Sequence, residues 1–177
     1  MSKAIILVGS TGCGKTYFTK QLLKTVNKNA LLIFDVNNEW KEYYPYPFDA
    51  DIDKFLEKAN KIRQGVILIE DATAFLSNRG RSDLLTKILV GKRHTKNTII
   101  LLFHSMRAIP KYIIDISTHI VIFKTNDPLT LVEKAFQNEA ITDAFNRVQT
   151  NAKGHPFWST YPPPPGIAPP SEIVSLY

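Results

Sequence analysis

The stretch Gly9-Ser10-Thr11-Gly12-Cys13-Gly14-Lys15-Thr16 decides how this chain folds. It follows the apolar run Ala4–Val8 and precedes residues 17–26, a segment that can continue as a helix. Gly, four residues and then Gly-Lys-Thr is the spacing of a phosphate-binding P-loop between a strand and a helix. Glycines let successive backbone N–H groups face a triphosphate, and the helix N-terminus adds partial positive charge. We call residues 9–16 the P-loop and predict that it binds a nucleoside triphosphate.

Two side chains of the P-loop have predicted roles of their own. Lys15 is expected to reach the β- and γ-phosphates, and the Thr16 hydroxyl is expected to ligate Mg²⁺. The predicted cofactors are therefore ATP and Mg²⁺. Cys13 is the single cysteine of the chain, so an internal disulfide and a cysteine-rich metal site are excluded. We interpret Cys13 as a small filler of the loop.

Length and composition indicate an ordinary globular protein. The chain has 177 residues, of which 44% are hydrophobic and 21% are charged, and this length suits one domain with its own core. No apolar run approaches the roughly 20 residues of a membrane helix. Residues 1–3 lead straight into the first apolar run, which leaves no room for a signal peptide, and we expect a cytoplasmic protein. The net charge of +6 is compatible with a polyanionic partner such as nucleic acid.

Apolar runs alternate with helical patterns along the chain. Short continuous apolar runs are typical of strands buried on both faces, and they occur at residues 4–8, 30–35, 66–69, 98–103 and 119–123. Helices are predicted over residues 51–63, from about 82, over 110–116, 129–137 and 139–148, with loops at 43–48 and 78–81. This alternation predicts an α/β three-layer sandwich with a mainly parallel sheet of five or more strands. Together with the P-loop, the predicted fold resembles that of RecA/ASCE-like P-loop NTPases.

The composition changes near residue 151. Aromatic residues and prolines dominate residues 155–170, and prolines are incompatible with the interior of a helix or a sheet. We therefore divide the chain into an ATPase domain, residues 1–150, and a Pro/aromatic-rich C-terminal arm, residues 151–177. The arm is interpreted either as a disordered end or as an extended segment that docks its aromatic side chains on a neighbouring subunit.

Two of the apolar strands end in acidic residues, which P-loop enzymes use to hold Mg²⁺. One ends at Asp35, and another runs into Glu70-Asp71, called here the acidic pair. The acidic pair is the better candidate, because one carboxylate can hold the Mg²⁺ shell while the other deprotonates the attacking water. By position we assign Glu70 to the metal and Asp71 to the water. The usual order is Asp then Glu, so the opposite assignment stays open. A second acid favours hydrolysis over transfer to a bound substrate.

These motifs together resemble the FtsK–HerA superfamily of DNA-pumping ATPases. The resemblance covers residues 3–125 and rests on the P-loop, Phe34-Asp35 with Glu39-Trp40, the acidic pair, Gly91-Lys92-Arg93-His94, His104-Ser105 and Ile109-Pro110. The compact size is similar to that of its viral branch, the genome-packaging ATPases of poxvirus-like viruses and membrane-containing phages. The chain also resembles the ATPase part of the zonula occludens toxin-like proteins of filamentous phages.

The resemblance implies a site shared between subunits of a ring, commonly a pentamer or a hexamer. An arginine of one subunit would complete the neighbour's site, and Arg93 best matches the family's basic position, with Arg79 and Arg81 as alternatives. His104 stands where the superfamily usually has a Gln that senses the γ-phosphate. An imidazole can donate the same hydrogen bond, although a buried structural histidine is the alternative interpretation.

The function that the resemblance implies is ATP-driven translocation of double-stranded DNA, packaging a viral genome into a preformed capsid. Contacts with DNA would be directed to its backbone and independent of sequence, with Lys92, Lys96, Arg79 and Arg81 as possible contributors. Capsid or portal-vertex proteins would be further partners, and the protein would act in the host cytoplasm or at the virion vertex. The alternatives are an ATPase of phage assembly or extrusion, a small nucleotide or metabolite kinase, and a nucleotide-dependent switch.

Overall fold

A seven-stranded sheet forms the centre of the protein. The computed structural model describes residues 2–35, 38–43, 46–47, 52–76, 79–152 and 169–176. The strands are β1 Ala4–Val8, β2 Leu31–Asp35, β3 Tyr46–Pro47, β4 Val66–Ile69, β5 Thr98–Phe103, β6 His119–Phe123 and β7 Ser171–Ser175. Their order in the sheet is β3-β2-β4-β5-β1-β6-β7. All neighbouring strands are parallel except β7, which runs antiparallel to β6.

Helices cover both faces of the sheet. They are α1 Lys15–Leu23, α2 Ile52–Lys61, α3 Thr73–Leu76, α4 Arg79–Thr95, α5 Lys111–Ile116, α6 Leu129–Phe136 and α7 Glu139–Asn151. One face packs against apolar residues of α2 and α4 to α7, whereas the other packs against α1 and the segment that carries Trp40. Strands covered on both faces must be apolar on both, which explains their continuous apolar runs. The predicted three-layer α/β fold is confirmed.

The order of the strands decides which residues meet at the site. Strand β5 lies between β1, which leads into the P-loop, and β4, which leads into the acidic pair. Because these strands are parallel, their carboxyl ends share one edge of the sheet. That edge carries the P-loop, the acidic pair and His104, and we call it the P-loop edge. An extra strand between the P-loop strand and the acidic strand is the arrangement of the RecA/ASCE-like class.

Several boundaries differ from the sequence prediction. Helix α4 begins at Arg79, so residues 79–81 are helical rather than loop, while Asn78 lies outside the described residues. Helix α4 contains Gly80 and Gly91, and each glycine costs a helix only about 1 kcal/mol, which a helix of 17 residues tolerates. Residues 46–47, predicted as loop, pair with the end of β2 as the short edge strand β3. Helix α7 continues to Asn151.

The sequence analysis did not predict strand β7. It lies within the segment assigned to the C-terminal arm, of which residues 153–168 are outside the described residues. Strand β7 pairs with β6 from Ser171 opposite Phe123 to Ser175 opposite His119, and Val174 is buried. The last described residues of the chain therefore belong to the central sheet.

Candidate active site

The P-loop is held by the strands on both sides of β1. The N–H of Gly9 donates to the carbonyl of Phe103 at 3.1 Å, and the N–H of Ser10 donates to the carbonyl of Lys124 at 2.9 Å. A methyl group on Gly9 would lie 2.6 Å from Cys13 Sγ and 2.7 Å from Phe123 Cβ, too close for any side chain. The start of the loop is thus fixed against the ends of β5 and β6.

The end of the P-loop leads into α1 through a left-handed residue. Gly14 has φ +96° and is the N-cap of α1, where it provides no side-chain acceptor. The first N–H groups of a helix have no partner within the helix, so those of α1 can bind an anion together with the helix dipole. This geometry is what a phosphate cradle requires.

Lys15 is buried inside the curl of the P-loop. Its Nζ donates to the carbonyls of Gly9, at 2.6 Å, and Ser10, at 3.0 Å, and lies 3.8 Å from Cys13 Sγ. Burial raises the pKa of the Cys13 thiol, an effect that the charge of Lys15 opposes only in part. The thiol is therefore protonated at neutral pH, in agreement with its interpretation as a filler.

The two strand-end acids have different surroundings. The buried carboxylate of Asp35 accepts the N–H groups of Glu39, at 3.0 Å, and Trp40, at 2.9 Å. Asp35 therefore fixes the segment that carries Trp40. The indole Nε1 of Trp40 in turn donates to Glu70 Oε1 at 3.4 Å, and Glu70 is 2% exposed. The predicted metal ligand Glu70 is thus oriented by a tryptophan that Asp35 holds in place.

His104 lies on the P-loop edge, where the charges of Lys15, Asp71 and Glu39 act on it. Asp71 is half-buried and has φ +50°, a left-handed conformation that Asp adopts more readily than most residues. The pKa of His104 is lowered by burial and by the charge of Lys15, against the opposing effect of Asp71 and Glu39. The imidazole is therefore neutral at pH 7, and its buried Nδ1 has no hydrogen-bond partner among the described residues. A neutral imidazole can donate one hydrogen bond to a ligand.

A third loop on the P-loop edge was missed by the sequence analysis. The carboxylate of Asp127 accepts from Ser105 Oγ at 2.6 Å, Thr125 Oγ1 at 2.6 Å and the N–H of Met106 at 2.7 Å. Burial alone would raise the pKa of Asp127, but these hydrogen bonds outweigh it and the pKa is lowered. Asp127 therefore ties the loop after β5 to the loop after β6 while it is ionised.

These two loops and the P-loop line an open cleft of about 450 Å³. Its lining includes Ser10 and Thr11 of the P-loop, His104, and the exposed Arg107. An arginine beside the P-loop is a candidate for contact with phosphate. The sequence does contain a signal for Arg107. His104 directly follows the predicted strand 98–103, and Arg107 comes three residues after His104.

Arg93 does not lie at the site of its own chain. It is exposed near the end of α4, five residues before β5 begins, and so it lies toward the edge of the sheet opposite the P-loop edge. Lys92 is 7% exposed, and its Nζ donates to the carbonyl of Ile116 at 2.8 Å. Burial lowers the pKa of Lys92, and the charge of Arg93 adds to this effect. Lys92 is therefore a structural residue and not the surface cation that was predicted, whereas Lys96 is exposed.

The fold and the site define the class of the protein. Three features characterise NTP-hydrolysing P-loop enzymes, and the site has all of them. They are the P-loop after β1, the acidic pair after β4, and a polar residue at the end of β5, the strand between β1 and β4. Residues 5–143 match the sequence profile of the ATPase family associated with various cellular activities (AAA), and the chain belongs to this family. It is an ATPase. No curated protein sequence matches the chain.

Solved structures with a similar fold include two viral enzymes. The DNA-packaging ATPase B204 of Sulfolobus turreted icosahedral virus is 21% identical, with a TM-score of 0.66 over 84% of this chain and 87% of that chain. The genome-packaging NTPase B204 of Sulfolobus turreted icosahedral virus 2, in complex with AMPPCP, is 20% identical, with a TM-score of 0.65 over 80% and 86%. The resemblance to viral packaging ATPases is confirmed at the level of the fold.

A third similar structure is the N-terminal domain of zonular occludens toxin from Neisseria meningitidis. It is 12% identical, with a TM-score of 0.52 over 77% of this chain and 92% of that chain.

Among the helices that the structure describes, none is long and apolar enough to cross a membrane.

Proposed function

We propose that this ATPase uses hydrolysis to translocate double-stranded DNA and that it packages a viral genome into a preformed capsid. The observation that carries the proposal is the meeting of the P-loop, the acidic pair and His104 on one edge of a fold shared with a DNA-packaging ATPase. The net charge of +6 suits a polyanionic substrate. The protein would act in the host cytoplasm or at the virion vertex, with capsid or portal-vertex proteins as partners.

Each site residue has a proposed role in hydrolysis. Lys15 moves from the P-loop carbonyls to the β- and γ-phosphates, and the backbone of residues 9–16 holds the phosphate chain. Asp71 orients and deprotonates the attacking water, and His104 donates a hydrogen bond to the γ-phosphate. Because its pKa is lowered, the His104 imidazole is neutral and keeps one ring N–H for this hydrogen bond.

The residues present fit a bound Mg²⁺. Among the described residues there is no group of three or more His, Cys, Asp or Glu that could hold a metal alone. Mg²⁺ in such enzymes takes one or two protein oxygens and completes its shell with phosphate oxygens and water. Thr16 and Glu70 are the proposed protein ligands. The ion would neutralise charge that develops on the phosphates during hydrolysis.

Double-stranded DNA is expected to stimulate ATP turnover, and the stimulation is expected to weaken as salt rises. Each phosphate contact contributes about −0.9 to the slope of log affinity against log salt. Lys96→Ala should reduce the magnitude of this slope by about 0.9 for each phosphate contact that Lys96 makes in the ring. Lys134→Ala, an exposed lysine on α6, is the matched control and should leave the slope unchanged. Turnover that ignores DNA but rises with a small phosphate acceptor would contradict the motor and favour a kinase.

Arg93→Ala is expected to abolish hydrolysis while ATP binding stays intact, because Arg93 lies away from its own P-loop and would serve a neighbouring subunit. Mixing Arg93→Ala with Lys15→Ala subunits should restore part of the turnover, since some interfaces then combine an intact P-loop with an intact Arg93. The measurement is ATP hydrolysis across mixing ratios, with the ring, a pentamer or hexamer, followed by mass photometry.

Arg107→Ala provides the contrasting result. Arg107 lines the cleft beside its own P-loop, so an arginine acting within one chain would make Arg107→Ala inactive and leave Arg93→Ala active. In that case, mixing Arg107→Ala with Lys15→Ala could not reassemble a complete site within one chain. That pattern would contradict the assignment to Arg93. For Arg79 and Arg81, which lie in the first turn of α4, the same mixing experiment applies.

A second candidate is an ATPase of phage assembly or extrusion. It is favoured by the fold shared with the N-terminal domain of zonular occludens toxin. ATP turnover that double-stranded DNA leaves unchanged, and that a phage assembly protein stimulates instead, would support this alternative.

A further inference from the structure

The C-terminal strand places a proline against the P-loop. Pro169 is buried and precedes β7 by two residues. A methyl group on Gly14 would lie 2.6 Å from Pro169 Cβ and 2.8 Å from Pro169 Cγ. The ring of Pro169 therefore packs directly on the backbone of Gly14.

The position of Pro169 is fixed by its attachment to the sheet. Strand β7 pairs with β6 along five residues, and Ser171 lies opposite Phe123 at the P-loop edge. Arg147 on α7 forms an ion pair with Glu172, Nε to Oε1 3.4 Å. Phe123 itself packs against Phe18 of α1, with ring centroids 5.5 Å apart. The P-loop, β6 and the start of β7 thus form one packed unit.

Pro169 contacts Gly14, the residue whose conformation directs the phosphate-binding N–H groups of the P-loop. Gly14 turns the chain from the loop into α1 by its left-handed conformation. Glycine loses more conformational freedom on ordering than any other residue, so a P-loop without support would lose binding free energy when it closes on phosphate. A rigid ring packed against Gly14 restricts the loop before the nucleotide arrives, and preorganisation of this kind raises affinity.

We propose that Pro169 is a positioning residue of the nucleotide site, which makes the C-terminal strand a functional part of the ATPase. It acts through Gly14 and has no role in the chemical step. Loss of its ring should therefore weaken ATP binding and raise KM, while kcat at saturating ATP changes little. This inference requires only nucleotide binding and goes beyond the proposed function, because it holds whether or not DNA is translocated.

The test is a graded series at residue 169 in the full chain, with Kd for a fluorescent ATP analogue measured without DNA. Pro169→Gly is expected to weaken binding about 5- to 20-fold, Pro169→Ala less, and Pro169→Val about twofold or less, because Val keeps a branched apolar side chain. Pro170→Gly is the matched control, since Pro170 is half-buried, and it should change Kd by about twofold at most.

Thermal unfolding of each variant separates stability from positioning. A purely structural role would lower Tm and reduce the folded fraction, but the folded molecules would keep the original Kd and KM. If Pro169→Gly does not fold, the Val and Ala variants carry the comparison. Equal Kd values across the series would overturn the proposal, and so would tighter binding by Pro169→Ala or Pro169→Gly, which would indicate that Pro169 obstructs the nucleotide.

Discussion

Asp71→Asn is expected to slow ATP hydrolysis about 10²- to 10⁴-fold while the affinity for ATP stays unchanged. The amide has the shape of the carboxylate but cannot take a proton from the attacking water. Asn also tolerates the left-handed φ of +50° at this position, so the backbone should be preserved. Single-turnover hydrolysis and equilibrium binding of ATP, measured on the same preparation, separate the two effects.

Glu70→Gln is the informative partner of this variant. Gln keeps an oxygen that can accept the hydrogen bond from Trp40 Nε1, so the buried segment around Trp40 should remain in place. Loss of the carboxylate should raise the Mg²⁺ concentration needed for half-maximal turnover. If Glu70→Gln stops hydrolysis without any change in Mg²⁺ dependence, and Asp71→Asn instead raises the Mg²⁺ requirement, the roles of the two acids are exchanged.

Lys15→Ala is expected to reduce turnover about 10²- to 10³-fold and to weaken ATP binding about 10- to 100-fold. The side chain of Lys15 is buried in the curl of the P-loop and supplies a charged donor to the phosphates that alanine lacks. Hydrolysis assays with titrated ATP and direct binding measurements test the two numbers.

Lys24→Ala is the matched control for this prediction. Helix α1 begins at Lys15, and Lys24 comes directly after its last residue. Lys24 is exposed and outside the P-loop, so its loss should leave turnover and ATP affinity unchanged. An unaltered affinity in Lys15→Ala would mean that the backbone amides alone hold the phosphates, and it would contradict the role proposed for the side chain.

Much of the fold could be predicted because its signals are local. The apolar runs of β1, β4, β5 and β6 match the observed strands to the residue. The start of α4 and the edge strand β7 were missed for a physical reason. Gly80 weakens the helical pattern, and a five-residue edge strand with one buried face carries too few apolar residues to stand out beside prolines.

Some residues of the site could be predicted from local sequence spacing, whereas the roles of others depend on contacts that form only in the fold. Spacing alone determined the P-loop, because its glycines and lysine act through the backbone of one contiguous segment. The sequence also located the acidic pair, since Glu70 and Asp71 are the two residues that follow the apolar run of β4. Folding decided the partners of the two strand-end acids: Asp35 accepts the N–H groups of Glu39 and Trp40, whereas Glu70 accepts from the indole of Trp40.

The sequence by itself therefore determined that this chain is a P-loop ATPase with the phosphate cradle at residues 9–16. Only the tertiary structure decided that Lys92 is a buried structural cation, that Asp127 ties two loops together, and that Pro169 packs on Gly14. The physical reason is sequence separation. A side chain's partners across the sheet depend on the order of the strands, and no local pattern records that order.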